Sequence, residues 1–170
     1  EKSFVYLAYS PPYTYERHLD FVASAQRSPC CAVHTIGQSL EGRAIHMLTI
    51  GEDSAVKRKC WFIGRQHSGE TMAEWFAEGV VERLLDPQDL VARALLSQAV
   101  FYIVPNMNPD GSGRGHLRTN AVGANLNREW AEPTPERSPE VLCVRNAMDA
   151  TGVHWAMDVH GDEAIPANFI

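Results

Sequence analysis

The sequence predicts an α/β domain with a mixed, largely parallel sheet and helices on both faces. Short runs of β-forming residues alternate along the 170-residue chain with longer segments of helical periodicity, as in βαβ units. Hydrophobic residues make up 45% of the chain, which is enough for one substantial core. No internal repeat, low-complexity segment or linker divides the sequence, so residues 1–170 are expected to form one domain or a large part of one.

The N-terminal elements are predicted as a strand, a helix and a hairpin. Alternating β-forming residues indicate a strand over Phe4 to Tyr9, which two consecutive prolines end. Helical periodicity then covers Tyr15 to Gln26. The residues expected on its apolar face are Leu19, Val22 and Ala25. Two β-like runs, Val33 to Gly37 and Ala44 to Ile50, are joined through Glu41-Gly42-Arg43, which predicts a hairpin.

The central elements alternate between strand and helix. Trp61 to Gly64 predicts a strand, and a long helix follows from about Glu70 to Leu85, where Asp86-Pro87 ends it. Helical spacing predicts that one set of apolar residues faces the core, namely Ala73, Phe76, Val80 and Leu84. A shorter helix over Leu90 to Leu96 precedes a strand over Val100 to Val104.

The last predicted elements are a helix and a strand that leads to a histidine. Ser138-Pro139-Glu140 is typical of a helix start, with a capping serine and a proline in the first helical position, and the helix is expected to reach about Asp149. The apolar run from Val153 to Val159 predicts the final strand, directly before His160. Because helices separate the strands, crossover connections and a largely parallel sheet are expected.

Charge and cysteine content exclude several classes of function. The formal net charge is −6, and no basic block offsets it, which argues against nucleic acid and anionic membrane surfaces as partners. No apolar run reaches the roughly 18 residues that a membrane helix needs. The four cysteines show no CxxC spacing, which favours free thiols in a reducing cytoplasm.

A histidine and a glutamate follow the strand predicted at Trp61 to Gly64, in the segment His67-Ser68-Gly69-Glu70, and His160 follows the last predicted strand. Two imidazoles and one carboxylate form a three-ligand zinc set, which leaves the fourth tetrahedral position open, as in catalytic sites. Open α/β sheets bind ligands outside the carboxyl ends of their strands, where these residues are expected to meet. Taken singly, Glu70 could instead be an ordinary negative residue that stabilises a helix N-terminus, and His160 could be a core histidine.

A long segment rich in Asn, Gly and Arg follows the strand that ends at Val104. It runs from Asn106 to Trp130 and is expected to lack regular secondary structure. Loops of this length in compact domains are usually functional, and an arginine guanidinium is suited to bind a carboxylate or a developing oxyanion. For Asn108-Pro109-Asp110-Gly111 alone, a surface loop of turn residues explains the sequence as well as a functional role does.

Five short motifs occur in a fixed order between Arg65 and His160, namely His-x-Gly-Glu, Asn-Pro-Asp-Gly, Gly-x-x-Arg, Asn-Leu-Asn-Arg and Asp-x-His-Gly. Their order and spacing resemble those of zinc metallocarboxypeptidases of the carboxypeptidase A type. The chain is most similar to the cytosolic carboxypeptidase branch, and in particular to its bacterial members. The resemblance implies the N-terminal part of the zinc carboxypeptidase fold and hydrolysis of the C-terminal peptide bond of peptides or proteins.

The resemblance also implies roles for individual residues. One zinc ion is expected on the three-ligand set described above, which is the ligand type of carboxypeptidase A. Arg118 matches the family arginine that polarises the scissile carbonyl and stabilises the oxyanion. Asn127 and Arg128 match the pair that holds the terminal carboxylate of the substrate. A peptide or protein C-terminus is therefore the expected partner.

Three positions depart from the family pattern or add to it. Gly69 stands where digestive carboxypeptidases have arginine, which supports the cytosolic branch. Asn125 stands where the family often has an aspartate that supports the first zinc histidine, and its amide oxygen is expected to orient His67 less strongly. Asp158 lies two residues before His160 and is a candidate hydrogen-bond partner of that ligand; a buried partner for an arginine is the alternative.

The family's general base is a glutamate well beyond the last zinc histidine, and neither Asp162 nor Glu163 matches it. Residues 1–170 are therefore expected to be a catalytic domain cut before the base, and the residue that sets side-chain preference is also expected past Ile170. Two alternatives stay open: an N-acyl amino acid amidohydrolase of the aspartoacylase and succinylglutamate desuccinylase type, and an inactive peptide-binding module of the same fold. The Asn-Pro-Asp-Gly motif favours the peptidase.

Overall fold

The structure is a computed structural model and describes the chain apart from residues 1–4, 6, 163, 166, 168 and 170. The described part contains a five-stranded sheet with α-helices around it. The strands are β1 (Cys31–Gln38), β2 (Ala44–Ile50), β3 (Arg58–Gly64), β4 (Ala99–Val104) and β5 (Trp155–Val159). The helices are α1 (Tyr15–Gln26), α2 (Met72–Leu85), α3 (Leu90–Gln98), α4 (Pro109–Arg114) and α5 (Pro139–Thr151), and a 3₁₀ helix covers Leu126–Arg128.

The sheet is mixed, with strand order β1-β2-β4-β3-β5. β1 and β2 form the predicted antiparallel hairpin, and β2 also pairs antiparallel with β4. β3 lies between β4 and β5 and is parallel to both. β2 thus runs against the direction that the other four strands share, which confirms the predicted mixed, largely parallel sheet.

Helices cover both faces of the sheet, as predicted. On one face, α1, α2 and α3 contribute to a core that includes Leu48 and Phe101 of the sheet. On the other face, Val141 and Val144 of α5 join a second core around Trp61. Every residue of β4 is buried, as expected for a central strand that is covered on both faces.

Two predicted core positions are wrong. Leu19 is 42% exposed and Phe76 is 40% exposed. On α1 the inward position is taken by His18, whose ring pairs with Glu74 of α2. The buried face of α1 therefore contains His18 in place of Leu19, together with Val22 and Ala25. On α2 the small Ala77 faces the core, and the Phe76 ring lies against Phe62 at a centroid distance of 5.9 Å.

The segment from Asn106 to Trp130 contains α4 and the 3₁₀ helix, so the expectation that it lacks regular structure is wrong. The sequence carries the signals for α4. The Asn108 side chain caps its start, Pro109 occupies the first turn, and Gly115 ends it in the left-handed conformation at φ 73°. These signals also occur in simple turns, which is why they predict a loop equally well.

The N-terminal segment and the start of α5 both differ from the predicted structure. The strand predicted over Phe4 to Tyr9 lies partly outside the described residues, and its described part forms no strand. Ser138 precedes α5 as predicted, but its hydroxyl accepts a hydrogen bond from the Thr134 N–H at 3.3 Å instead of capping the helix. None of the helices in the described ranges combines the length and apolarity that a membrane span requires.

The adjacent parallel strands β4, β3 and β5 end at one edge of the sheet, and this edge positions the candidate site. Gly64, the last residue of β3, pairs in register with Val159, the last residue of β5. Ile63 pairs with Val104 at the end of β4. The segments that leave β3, β4 and β5 therefore start side by side, as the position of ligand sites in open α/β sheets requires.

Candidate metal centre

His67, Glu70 and His160 converge at this edge, as the sequence predicts. One candidate ligand atom from each of the three residues lies within 4.8 Å of the other two. His67 lies in the connection after β3, Glu70 lies directly before α2, and His160 follows β5. His67 and Glu70 are buried and His160 is half-buried, so the group is partly exposed to solvent through His160.

The Glu70 carboxylate bridges the two imidazoles. Its Oε1 lies 2.7 Å from Nδ1 of His67, and its Oε2 lies 2.8 Å from Nδ1 of His160. Oε2 also accepts the backbone N–H of Gly161 at 3.0 Å. Although burial raises the pKa of Glu70, the hydrogen bonds from His160, Gly161 and His67 lower it below the ordinary value. The carboxylate is therefore held in its charged form, which is the form that ligates a metal.

The outer nitrogens of both histidines face acceptors. Nε2 of His67 lies 3.1 Å from Oδ1 of Asn125, and Nε2 of His160 lies 2.7 Å from Oδ2 of Asp158. The hydrogen bonds that the His160 ring donates to the carboxylates of Asp158 and then Glu70 raise the pKa of His160 to about 10. Because each outer acceptor holds a proton on Nε2, Nδ1 is the nitrogen on each ring that can give up its proton and bind a metal ion.

The donor set therefore fits zinc. Two imidazole nitrogens and a carboxylate converge, and each imidazole has the outer hydrogen-bond partner that zinc-ligating histidines almost always have. Asn125 occupies the supporting position expected for it. For Asp158 the structure favours support of His160 over the alternative, because its contacts in the described chain are His160 and Gln66, with no arginine among them.

Arg118 lies beside the ligand group. Its Nη1 is 3.2 Å from Nδ1 of His67 and 3.9 Å from Oε1 of Glu70. The side chain is 47% exposed, so its guanidinium also faces solvent. A cation in this position can contact, from the solvent side, a group that is bound near His67 and Glu70.

Asn127 and Arg128 are placed near the site through Asn125. Oδ1 of Asn125 accepts the backbone N–H of Asn127 at 3.2 Å and so caps the 3₁₀ helix that carries both residues. Arg128 is exposed, and its guanidinium makes no ion pair within the described residues. The structure thus connects this pair to the supporting residue of His67, and its role in binding a carboxylate stays a prediction.

A buried ionic network that the sequence did not reveal fixes the segment carrying His67. Arg65 adopts φ 56°, a left-handed conformation that is rare outside glycine, and its guanidinium donates to the Ser68 carbonyl at 2.9 Å. The same guanidinium pairs with Glu74, which also accepts from His18 at 2.7 Å and from Asn106 at 3.1 Å. These contacts hold the backbone on both sides of His67.

Gly69 has a steric reason to be glycine. Its N–H donates to the Leu117 carbonyl at 2.8 Å. A Cβ at position 69 would lie 2.9 Å from that carbonyl oxygen, closer than real Cβ contacts allow. A larger residue at position 69 would therefore require the backbone at Leu117 to move.

Asn120 and Glu140 support the loop that carries Arg118 and Asn125. Oδ1 of Asn120 accepts the N–H of Ala124 at 2.9 Å, and its amide nitrogen donates to Oε2 of Glu140 at 3.3 Å. Glu140 is completely buried, and its Oε1 has no hydrogen-bond partner in the described structure. Burial raises the pKa of Glu140 to about 7. The carboxyl group is therefore uncharged at mildly acidic pH and costly to ionise.

This burial predicts a pH dependence of stability. The folded state holds the Glu140 proton up to about pH 7, whereas the unfolded chain loses it near the ordinary pKa of 4.5. Stability from this group is therefore lost as pH rises from about 4.5 through 7, by roughly 1–3 kcal/mol. Glu140→Gln should remove that slope and be the more stable protein at pH 8, in urea unfolding at pH 5 and pH 8. An unchanged slope would contradict the assignment.

Comparison with known proteins identifies the family. The family of zinc carboxypeptidases matches residues 16–163. A solved metallo-carboxypeptidase from Burkholderia cenocepacia is 53% identical with a TM-score of 0.90, and the match covers 93% of this chain and 43% of that one. A metallo-carboxypeptidase from Pseudomonas aeruginosa, solved in complex with (2-guanidinoethylmercapto)succinic acid, is 48% identical with a TM-score of 0.87 over 93% of this chain and 42% of that one.

A eukaryotic relative supports the predicted branch. Cytosolic carboxypeptidase 6 of Mus musculus is 30% identical over 176 residues, which cover 96% of this chain and 32% of that protein. The chain thus spans less than half the length of each of these three relatives. The family match over most of the chain and the shared fold agree with the five motifs. The chain belongs to the zinc carboxypeptidase family.

Proposed function

We propose that the protein is a zinc-dependent metallocarboxypeptidase that hydrolyses the C-terminal peptide bond of peptides or proteins. The observation that supports this most directly is the convergence of His67, Glu70 and His160, with the Arg118 guanidinium 3.2 Å from His67. One Zn²⁺ on these ligands would supply Lewis acidity and an activated water at neutral pH. Residues 1–170 are proposed as part of the catalytic domain, with the general base outside them.

The chain's own residues have distinct proposed tasks. Arg118 donates N–H groups to the scissile carbonyl oxygen as negative charge develops there, a contribution that is typically worth 10²- to 10³-fold in rate. Asn127 and Arg128 bind the terminal carboxylate and thereby place the last peptide bond at the metal. Asn125 and Asp158 hold the imidazoles in their ligating orientation through the contacts at 3.1 and 2.7 Å.

The ligand of the Pseudomonas aeruginosa relative agrees with a site that binds carboxylates, since succinic acid compounds carry two of them. The amidohydrolase alternative gains no support, because the family match and the named relatives are carboxypeptidases. A cytoplasmic location is likewise proposed, on the cysteine pattern and the name of the mouse relative.

Peptide cleavage with and without a C-terminal amide tests the proposal. The complete zinc-loaded protein is incubated with a peptide carrying a free carboxylate, with the same peptide amidated, and with a chelator. We expect release of the last residue from the free peptide only, and none after chelation, because amidation removes the charge that Arg128 is proposed to bind. Equal cleavage of both peptides, or cleavage that survives metal removal, would contradict it.

A further inference from the structure

Gln66 lies directly before the zinc ligand His67, yet its side chain points to the other histidine's side of the site. It is completely buried. Its amide nitrogen donates to Oδ2 of Asp158, and its amide oxygen accepts the indole N–H of Trp130 at 2.8 Å. Its backbone carbonyl accepts the amide of Asn108 at 3.1 Å. Both ends of the Gln66 amide and its main chain are therefore fixed.

The orientation of this amide follows from the chemistry of its partners. The indole nitrogen of Trp130 can only donate a hydrogen bond, so the oxygen of the Gln66 amide must face it. The amide NH₂ is then left to face Asp158, whose carboxylate can only accept when ionised. A flip that exchanged the amide oxygen and nitrogen would break both hydrogen bonds. Trp130 therefore donates to Gln66, and Gln66 donates to Asp158.

Asp158 needs such a partner more than a buried carboxylate would. It lies on β5, and its side chain is 29% exposed. An exposed carboxylate can rotate toward water, but the amide of Gln66 binds Oδ2, the same oxygen that faces Nε2 of His160 at 2.7 Å. Gln66 therefore opposes rotation of the one atom that orients the imidazole.

We propose that Gln66 is a positioning residue for the ligand His160 and acts on it through Asp158. This inference rests on the proposed zinc site. Gln66 does not touch the metal ligand's coordinating nitrogen; it fixes the acceptor that keeps the proton on Nε2 and leaves Nδ1 to the metal. Outer partners of zinc-ligating histidines typically change metal affinity by about 10- to 100-fold. Gln66 stands one contact further out, so the lower end of that range is expected.

The zinc affinities of the four proteins in a double-mutant cycle test the proposal without any activity measurement. Affinity for Zn²⁺ is measured by competition with a chromophoric chelator for wild type, Gln66→Met, Asp158→Asn and the double variant. Methionine keeps the volume of glutamine but makes neither hydrogen bond. We expect Gln66→Met to weaken binding by about 10-fold, and the double variant to bind no more weakly than Asp158→Asn alone.

A second pair of variants keeps the test valid if Gln66→Met fails to fold. Trp130→Phe removes only the indole N–H that fixes the Gln66 amide, and it should weaken zinc binding by about 2- to 5-fold, a fraction of the effect of an outer partner. Trp75→Phe is the control, because the Trp75 indole donates to the Pro11 carbonyl at the surface and not to Gln66 or Asp158. Its zinc affinity should equal that of wild type.

The outcomes separate this inference from the proposed function. If wild type binds no zinc, the metal site and the inference are both overturned. If wild type binds zinc and both Gln66→Met and Trp130→Phe bind it equally well, the inference alone is overturned. Independent losses that multiply in the Gln66→Met, Asp158→Asn double variant would also overturn it, since they would show that Gln66 does not act through Asp158.

Discussion

Replacing Glu70 with glutamine is expected to lower the affinity for Zn²⁺ by more than about 100-fold, beyond the roughly 10- to 100-fold effect of losing an outer hydrogen-bond partner. Glutamine has the shape of glutamate but lacks its charge. One amide end would be an NH₂ group facing Nδ1 of His67 or His160, both of which now lie within 2.8 Å of a carboxylate oxygen. The variant therefore loses one ligand and disturbs the two others.

The measurement is a chelator competition assay, with Glu82→Gln as the matched control. Glu82 is an exposed residue of α2, the helix that begins just after Glu70, so the same chemical change there should leave zinc affinity unaltered. Zinc affinity within a factor of about three of wild type in Glu70→Gln would contradict the assigned ligand set, because a true ligand is worth more than its outer partners.

Replacing Glu74 with glutamine, only one helical turn further on, is expected to act on stability and to cost about 3–5 kcal/mol. Glu74 is completely buried and pairs with Arg65, whose side chain is only 4% exposed. Arg65 and Asn106 both donate to Oε2, and His18 faces Oε1 at 2.7 Å. An amide can keep its oxygen for Arg65 and Asn106 only by turning its NH₂ toward Nδ1 of His18, and it leaves the Arg65 charge uncompensated.

Urea unfolding in the presence of a chelator measures this effect apart from any metal. We expect a lower midpoint for Glu74→Gln with an unchanged dependence on urea concentration, while Glu82→Gln stays within about 0.5 kcal/mol of wild type. A loss below about 1 kcal/mol in Glu74→Gln would show that water or local rearrangement compensates Arg65, and that the network does not hold the His67 segment rigidly.

Local periodicity predicts the elements of this fold well because each helix and strand depends mainly on its own residues. The bounds of α1 and β2 agree with those predicted from the sequence, Tyr15–Gln26 and Ala44–Ile50. The assignment of inward faces is less successful. Leu19 loses the core position to His18, because a histidine with a buried charged partner from another helix can be buried where an apolar pattern predicts leucine.

The convergence of His67, Glu70 and His160 could be predicted, because zinc limits the residue types of a ligand set and the sheet limits their positions. The supporting residues could not be predicted, with the exception of Asn125 and Asp158, which are the first residues of two of the five motifs. Gln66 and its hydrogen-bond partner Asp158 are separated by 92 positions in the sequence, and Glu74 and its partner His18 are separated by 56. Such partners share no sequence spacing, so only the folded chain reveals them.

The location of bound zinc tests the central claim most directly. X-ray diffraction data collected at the zinc absorption edge from crystals of the zinc-loaded protein would show where the ion binds. We predict one anomalous peak at about 2.0–2.2 Å from Nδ1 of His67, Nδ1 of His160 and the carboxylate of Glu70. A peak at other residues, or no peak in protein saturated with zinc, would contradict the claim that these three residues form the metal site.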